Sequence, residues 1–293
     1  MDKIAFEVIS GIYTEGNMQR IRELLLHSSS WQQGQFTAYG ESQHSRLWIN
    51  WLTQCGISDI AKVCQVDSGH GRTAILLEMN PAKSSLPTRA MFWLQHNGSH
   101  IKAVDVSVDT HLLQDGLGDA GQPLDEWWPN PDPLIISDYD QQLHPKTSHA
   151  SPSDFFDTAP ANLSTLEQWW EVWQTMQLSH IWQMYDQNSE IYLPGKVEST
   201  SAEGLFGFVS QQLNQVTRHY CQIEDIICDG DAGNRFALKW NLEGDVPTAD
   251  GVQRVRLPFM SLLEIANDKV KSDYLLFDQI AFDKQFLSVS LTL

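Results

Sequence analysis

Residues 254–278 read RVRLPFMSLLEIANDKVKSDYLLFD, a pattern that predicts one long β-hairpin. The predicted first strand is Arg254–Ile265, the turn is Asn267-Asp268, and the returning strand is Val270–Asp278. Asp278 ends an otherwise apolar run. A carboxylate at such a place is either a cap on the end of the strand or an acid/base group, so this stretch suggests both a fold and a candidate site.

The same pattern occurs earlier in the chain. Residues 89–109 align with residues 258–278 without a gap, and Asn97-Gly98 lies between two apolar runs as a strong hairpin signal. The identical pairs at this offset are Met91 and Met260, Leu94 and Leu263, Lys102 and Lys271, and Asp109 and Asp278. The order helix, strand, helix and four strands also occurs twice. We therefore expect a duplicated domain.

This order divides the chain into a divergent first domain at 1–112, a proline-rich ordered strap at 113–163 and a second domain at 164–293. The predicted elements of the first domain are helices within 2–13, within 18–27 and around Leu47–Leu52, a loop at Ser28–Gly40 with a weak strand at Gln35–Tyr39, and strands at Ile57–Val66, Arg72–Met79, Arg89–Gln95 and His100–Asp109. Those of the second domain are a helical stripe at Leu166–Met184, a helix after Thr200, and strands at Ser189–Leu193, Tyr220–Cys228 and Arg235–Leu242 before the hairpin. Helices followed by runs of strands indicate the α+β class.

Composition narrows the classes of function. The net charge of −18 would repel a nucleic-acid backbone and an anionic membrane surface, so we expect neither as a partner. No signal peptide or membrane-spanning stretch is visible, and the four cysteines show no metal-binding spacing, which predicts a cytoplasmic protein with free thiols. Gly116–Gly121 matches the pattern GxGxxG, but no helix is predicted after it to bind a phosphate. We expect no cofactor and no metal.

Several motifs of the second domain resemble one known family. They are Tyr185–Gly195, a helix opening at Glu203, a strand ending at Asp229, and the last hairpin closing on Asp278. Over about residues 165–286 this pattern is similar to the SnoaL-like (polyketide cyclase-like) family of the nuclear transport factor 2-like superfamily. The resemblance implies two tandem cystatin-like cones, each a curved antiparallel sheet packed on N-terminal helices around an apolar pocket. The superfamily includes cyclases, isomerases, dehydratases and non-catalytic binders, so the fold alone implies no activity.

The resemblance also implies a catalytic aspartate on the last long strand, and Asp278 is the position that we match to it. Its apolar neighbours Leu275–Phe277 suit a base that removes a proton next to a carbonyl. Asp109 is the counterpart in the first domain. For both aspartates a structural role at the end of the strand or on its solvent face is the alternative. The histidine that often assists in the cyclases is absent from the strand opposite Asp278, and the nearest one in the first repeat is His96.

Six further residues are candidates for contact with a ligand. They are Trp93, Trp182, Tyr192, Trp240, Arg256 and Tyr274. The aromatic residues could line a cavity, and Tyr192 could donate a hydrogen bond, whereas ordinary packing is the alternative for each. Arg256 could bind a ligand carboxylate or pair with acidic residues of the protein.

Two functions remain open. The first is a module that binds a small apolar or carbonyl-bearing molecule or serves in assembly, with its pocket plugged by the aromatic stripe Trp169–Trp182 and by the strap. The second is an isomerase, cyclase or dehydratase with Asp278 as general base. In either case we expect the two domains to pair through their sheets as an intramolecular pseudo-dimer. The enzyme hypothesis requires that Asp278 face an open cavity with Tyr192 or Trp182 across from it. It fails if side chains fill the interior of the cone.

Overall fold

A computed structural model describes residues 9–11, 19, 23, 25–33, 36–97, 100–118, 151–213, 216–229, 233–248 and 251–280. The chain divides into two compact units, which we call unit 1 (Met1–Pro131) and unit 2 (Asp132–Leu293). The predicted helices at 2–13 and 18–27 and the middle of the predicted strap lie largely outside the described residues.

Unit 1 is built on a six-stranded sheet with the order β2-β1-β6-β5-β4-β3. All neighbouring strands are antiparallel except β1 and β6, which are parallel. The elements are β1 Leu25–Gln33, β2 Phe36–Tyr39, α1 Gly40–Gln54, β3 Ile57–Asp67, β4 Arg72–Pro81, β5 Thr88–His96, β6 Ile101–Val108 and α2 Thr110–Leu117. The four predicted strands of this domain correspond to β3–β6, and the helix predicted around Leu47–Leu52 lies within α1.

The predictions for residues 25–33 were wrong. We expected the end of a helix and then a loop, whereas these residues form β1. The physical reason is long-range pairing, because β1 is held between β2 and the distant β6, and local propensity gives way to such tertiary pairing.

Unit 2 is built on a five-stranded sheet with the order β7-β11-β10-β9-β8. Only β7 and β11 are parallel neighbours. The strands are β7 Tyr185–Tyr192, β8 Thr217–Cys228, β9 Arg235–Thr248, β10 Gly251–Ala266 and β11 Lys269–Leu276, and the helices are α3 Leu163–Thr175, α4 Ile181–Met184 and α5 Ala202–Phe208, with single turns at Pro152–Phe155, Leu178–His180 and Val209–Leu213. Both units are therefore of the predicted α+β class.

The hairpin predicted within residues 254–278 is present. β10 and β11 pair from Met260↔Leu276 to Ala266↔Lys269, and Asn267 and Asp268 connect them. Both turn residues adopt left-handed backbone angles, with φ of 54° and 57°. Two successive left-handed residues are typical of the type I′ turn, whose twist matches that of the strands it joins.

The hairpin register of unit 2 also occurs in unit 1. The pairs Met91↔Ser107 and Leu94↔Val104 of β5 and β6 correspond to Met260↔Leu276 and Leu263↔Asp273 of β10 and β11. In these pairs each residue of unit 2 lies 169 positions after its counterpart in unit 1. Both ladders become irregular at the same place, after Gln95 and after Glu264. A shared register that includes its irregularity means that the two hairpins present the same positions to the same face.

The parallel edge strands agree as well. The pairs Leu25↔Ile101 and Trp31↔Val104 of unit 1 correspond to Tyr185↔Val270 and Ile191↔Asp273 of unit 2. Ser29 donates a hydrogen bond to the carbonyl oxygen of Ile101, and Ser189 donates one to that of Val270, both at 2.6 Å. The correspondence between β1 and β7 allows residues inside the two units to be compared position by position.

The two ends of the predicted strap pack on the units that flank them. Residues 113–117 complete α2, where Leu113 and Leu117 are buried, and Phe155 and Phe156 pack against the core of unit 2. Residues 119–150 lie outside the described part, so the strap and the domain limits stay predictions.

A prediction concerns the turn between β3 and β4, where Gly69 and Gly71 both have positive φ angles, of 71° and 77°. A Cβ at Gly71 would lie 2.3 Å from the carbonyl oxygen of His96, whereas a Cβ at Gly69 would meet nothing within 4 Å. We expect Gly69→Ala to lower the free energy of unfolding by about 1 kcal/mol through backbone strain alone. Gly71→Ala should cost about 1–3 kcal/mol more because of the clash. Denaturant unfolding measures both, and equal losses would contradict the geometry.

Candidate functional site

Aromatic rings fill the space between α3 and the sheet of unit 2. Trp169, Trp170 and Trp173 of α3 pack against Trp240 of β9, with ring centroids 6.2, 5.6 and 5.1 Å from it. Trp240 in turn stacks on Phe259 of β10 at 4.4 Å. All five rings are at most 1% exposed. The interior predicted to be plugged by the tryptophan stripe is therefore filled with side chains at these positions.

One ionisable group lies inside this apolar cluster. Asp273 of β11 is 1% exposed, and its neighbours across the ladders are the buried Leu263 and Ile191. Its Oδ2 atom accepts two hydrogen bonds, from the hydroxyl of Tyr185 at 2.5 Å and from the indole N–H of Trp169 at 3.0 Å. The carboxyl group thus joins α3, β7 and β11 at one point.

The second oxygen of this carboxyl group is different. Within the described part of the chain, Oδ1 of Asp273 is buried and has no hydrogen-bond partner. A buried polar atom without a partner costs roughly 1–3 kcal/mol, and more when it carries charge. Such an atom calls for an explanation, either as a source of strain or as a contact for a molecule that the protein binds.

The electrostatics of the pair follow from burial. Burial raises the pKa of Asp273 to about 6, and the hydrogen bonds from Tyr185 and Trp169 act in the opposite direction. The pKa of Tyr185 is raised well above its usual value, first by burial and then by the negative charge of Asp273. Tyr185 therefore stays a hydrogen-bond donor, and Asp273 is the group that gains and loses a proton near neutral pH.

The corresponding positions of unit 1 show that this fold does not require the carboxyl group. By the shared register, Asp273 corresponds to Val104 and Tyr185 corresponds to Leu25. Both of these unit 1 residues are buried and apolar. The acid and its phenol donor are thus a feature of unit 2 alone.

The two aspartates predicted as catalytic lie elsewhere. Asp109 is buried and precedes α2, where its Oδ1 accepts the backbone N–H of Leu112 at 3.0 Å as a helix N-cap. Asp278 lies at the corresponding position after β11, directly before the helical residues 279–280, and is half-buried. A catalytic role for either one stays a prediction.

The six predicted ligand contacts do not converge. Trp240 lies in the core of unit 2, where its N–H donates to Ser261 at 3.0 Å, and Trp93 is buried in unit 1. Trp182 is 47% exposed and stacks on Phe206. The other three share the opposite face of the unit 2 sheet: Tyr192 stacks on Tyr274 at 4.4 Å, and Arg256 pairs with Glu243 at 2.7 Å.

Sequence reasoning missed Asp273 although it had found the strand. The prediction chose the aspartate at the end of the strand. Asp273 instead lies on the same inward-facing side as Leu275 and Phe277, because alternate residues of a strand share a face. A charge in the apolar phase of a strand was the available signal. Tyr185 and Trp169 carried no such signal, because their approach to Asp273 depends on the tertiary fold.

No group of three or more His, Cys, Asp and Glu side chains in the described part of the chain is placed to hold a metal ion. Among the helices that the structure describes, none combines the length and apolar character needed to cross a membrane.

The raised pKa of Asp273 predicts how stability depends on pH. The native state binds the proton more tightly than the unfolded chain, whose carboxyl has a usual pKa of 3.8, so this group stabilises the fold below about pH 4 and the contribution is lost as pH rises through about 6. Asp273→Asn removes this dependence. Relative to wild type, we expect the variant to gain roughly 2 kcal/mol in unfolding free energy between pH 4 and pH 7. Urea unfolding at both pH values measures the gain, and an equal difference at each pH would contradict it.

A second prediction concerns the donor. Tyr185→Phe removes a hydrogen bond that lowers the pKa of Asp273, so that pKa should rise above 6 by about 1. Carboxyl-carbon NMR titration reads it directly. Tyr192→Phe is the matched control, since Tyr192 lies on the other face of the sheet, and it should leave the pKa of Asp273 unchanged. A Tyr185→Phe titration that coincides with wild type would refute the assignment.

Comparisons with known proteins agree on one kind of structure. Neither the protein-family models nor the curated proteins gave a match. Among solved structures, a candidate polyketide cyclase from Bacillus cereus is 19% identical and covers 44% of this chain and 81% of its own, with a TM-score of 0.37. A candidate SnoaL-like polyketide cyclase from Jannaschia sp. CCS1 is 14% identical and covers 46% and 97%, and IdmH, a candidate polyketide cyclase from Streptomyces antibioticus, is 13% identical and covers 43% and 98%, both with a TM-score of 0.37. These three matches to polyketide cyclases each cover between 43% and 46% of the chain.

Proposed function

We propose that unit 2 binds a small apolar molecule through a hydroxyl or carbonyl group that contacts Asp273. The observation that carries the proposal is the buried Oδ1 atom, which has no hydrogen-bond partner in the described part of the chain. The other oxygen is already occupied by Tyr185 and Trp169, so the carboxyl group is held in a fixed orientation with one oxygen to spare.

The proton on Asp273 decides which ligand group fits. The ionised carboxylate accepts a hydrogen bond from a hydroxyl, and the protonated acid donates one to a carbonyl oxygen. Because burial raises the pKa of Asp273 to about 6, both forms are accessible near neutral pH. The surrounding rings favour an apolar or aromatic body for the molecule.

The filled interior sets a condition on binding. Trp169, Trp170 and Trp173 occupy the space next to the sheet, so a ligand enters only by displacing part of this stripe. Ring displacement makes the tryptophans reporters of binding. It also means that the binding free energy includes the cost of opening a packed core.

We also propose that units 1 and 2 descend from one duplicated domain. The shared register, the shared ladder irregularity and the two equivalent serine hydrogen bonds support it. On this view the two copies came to bind different ligands. The residues that differ at matched interior positions, such as Val104 and Asp273, reflect that change.

A second candidate function is proton transfer at a carbon next to a carbonyl, as in an isomerase, cyclase or dehydratase. The specific support is a pKa of about 6 on a fixed, desolvated carboxyl, which suits a general base at neutral pH. In this candidate Asp273 replaces Asp278 as the base. Deuterium exchange of the α-protons of 2-tetralone, followed by proton NMR, tests it, and an exchange rate equal in wild type and Asp273→Asn would reject it.

The binding proposal predicts opposite pH dependences for two probes. Binding of 2-naphthol should strengthen about tenfold between pH 5 and pH 7 as Asp273 ionises, and binding of 2-acetonaphthone should weaken by about the same factor. Titrations by ligand-observed NMR give both constants, and tryptophan fluorescence reports the ring displacement.

Two variants serve as controls for this experiment. Asp273→Asn should remove the pH dependence for both probes, whereas Asp278→Asn should retain it. If Asp278→Asn abolishes the dependence and Asp273→Asn does not, the earlier candidate is the functional carboxylate. Failure of both probes to bind wild type would overturn the proposal for this ligand class.

A further inference from the structure

Unit 1 contains a buried polar side chain of another kind. Gln33, the last residue of β1, is 1% exposed. Neither its Nε2 nor its Oε1 atom has a hydrogen-bond partner in the described part of the chain. A primary amide can make up to four hydrogen bonds, so leaving both ends unpaired in the interior costs several kcal/mol by general estimates of about 1–3 kcal/mol per group.

The face on which Gln33 lies follows from the ladder. Residues two apart on a strand share a face, so Gln33 lies on the same face as Trp31. The ring of Trp31 packs edge-on against Phe92 of β5 at 6.0 Å and against His44 of α1 at 6.3 Å. This is the face that α1 covers. Gln33 therefore belongs to the interior of unit 1, next to two large aromatic rings.

Charged groups are absent from this face among the buried residues that the structure describes. The buried charged residues of unit 1 are Arg89 and Asp109. Arg89 is in the opposite phase of β5 from Phe92, and Asp109 caps α2. Burial lowers the pKa of His44, whose Nε2 lies 3.0 Å from the carbonyl oxygen of Ala38, so its ring is neutral at pH 7. Among the buried residues that the structure describes on this face, none therefore carries a charge at pH 7.

The fold does not require a glutamine here. The correspondence between β1 and β7 matches Gln33 with Leu193, one position after the last paired residue of β7. Leu193 is buried in the core of unit 2. A matched position that accepts leucine indicates that the amide has a role other than packing.

We propose that the interior of unit 1 is a second binding site, in which the Gln33 side chain recognises a neutral, planar ligand that carries a lactam or primary carboxamide. The amide of Gln33 presents a donor and an acceptor side by side, and such a ligand presents the complementary acceptor and donor in one plane. Paired in this way, both unsatisfied atoms gain a partner. The rings of Trp31 and Phe92 supply apolar contact for the ligand body. A carboxylate is disfavoured because none of the buried residues described on this face supplies a positive charge to compensate its desolvation.

The test uses the full chain and three related probes: 2-quinolone, 1-methyl-2-quinolone and naphthalene. The first has the lactam N–H and C=O, the second lacks the N–H, and the third lacks both. We expect 2-quinolone to bind roughly tenfold more tightly than either of the others, as measured by ligand-observed NMR and by the rise in melting temperature. Equal binding of 2-quinolone and its methyl derivative would overturn the proposal, as would no binding of 2-quinolone at about 1 mM.

Two substitutions assign the effect to Gln33. Gln33→Met keeps the length of the side chain, and Gln33→Leu copies the residue of unit 2, so at least one is expected to fold. Each should weaken 2-quinolone by roughly tenfold and leave naphthalene unchanged. Wild-type affinity for 2-quinolone in a folded variant would refute the role of Gln33. Asp273→Asn should retain 2-quinolone binding, which separates this site from the one proposed in unit 2; loss of binding in that variant would place the ligand in unit 2 and overturn the proposal.

Discussion

The register between β10 and β11 is the constraint on which the interior of unit 2 depends. Successive residues of a strand point to opposite faces, so a slip of one residue would exchange the two faces of β11. In the observed register Asp273 points with Leu275 into the tryptophan cluster, and Tyr274 points to the other face, where it stacks on Tyr192. The left-handed turn at Asn267 and Asp268 and the irregularity after Glu264 fix this register from one end. The placement of one carboxyl group is therefore a consequence of turn chemistry many ångströms from it.

That placement opposes stability. A valine at the position of Asp273 would bury apolar surface at no electrostatic cost, and unit 1 has a valine there. Unit 2 instead contains an acid with a raised pKa, and only one of its two oxygens is satisfied. Natural sequences retain such unfavourable groups mainly where function needs them. The contrast between matched positions of one chain is a stronger argument than burial alone, because the frame around the two residues is the same.

The sequence was sufficient for the parts of the fold that local patterns encode. The hairpin and its Asn-Asp turn, the strands β3–β6, and the α+β class follow from alternation and turn residues. β1 could not be found in this way, since it is stabilised by parallel pairing with a strand distant in sequence. α2 was missed for another reason: Gly116 and Gly118 made the segment resemble a linker, whereas capping by Asp109 and burial of its leucines form a helix.

The candidate site was predictable only in part. The resemblance to SnoaL-like proteins directed attention to an aspartate on the last long strand, and the chain contains two aspartates there. Choosing between them requires knowing which alternate residues of the strand point inward. Leu275 and Phe277 indicate this in the sequence, but the uncertain end of the strand makes the assignment ambiguous. The donors that hold Asp273, Tyr185 and Trp169, are 88 and 104 positions away along the chain and no local pattern joins them.

The interiors of the two units differ in a way that their shared frame makes informative. Each contains a buried side chain with an unsatisfied polar atom on the face covered by helices, but at different positions: Asp273 where unit 1 has Val104, and Gln33 where unit 2 has Leu193. The first is ionisable and is fixed by two donors, and the second is neutral and lies beside Trp31. One explanation would be that a stable fold simply tolerates a few buried polar groups without partners. That explanation gives no reason why an apolar residue should occupy the matching position of the other unit in both cases. Such reciprocal replacement is the pattern expected when two copies of one fold bind ligands of different polarity. Asp273 would recognise its ligand through charge and the position of a proton, and Gln33 would recognise its ligand through a pair of neutral hydrogen bonds.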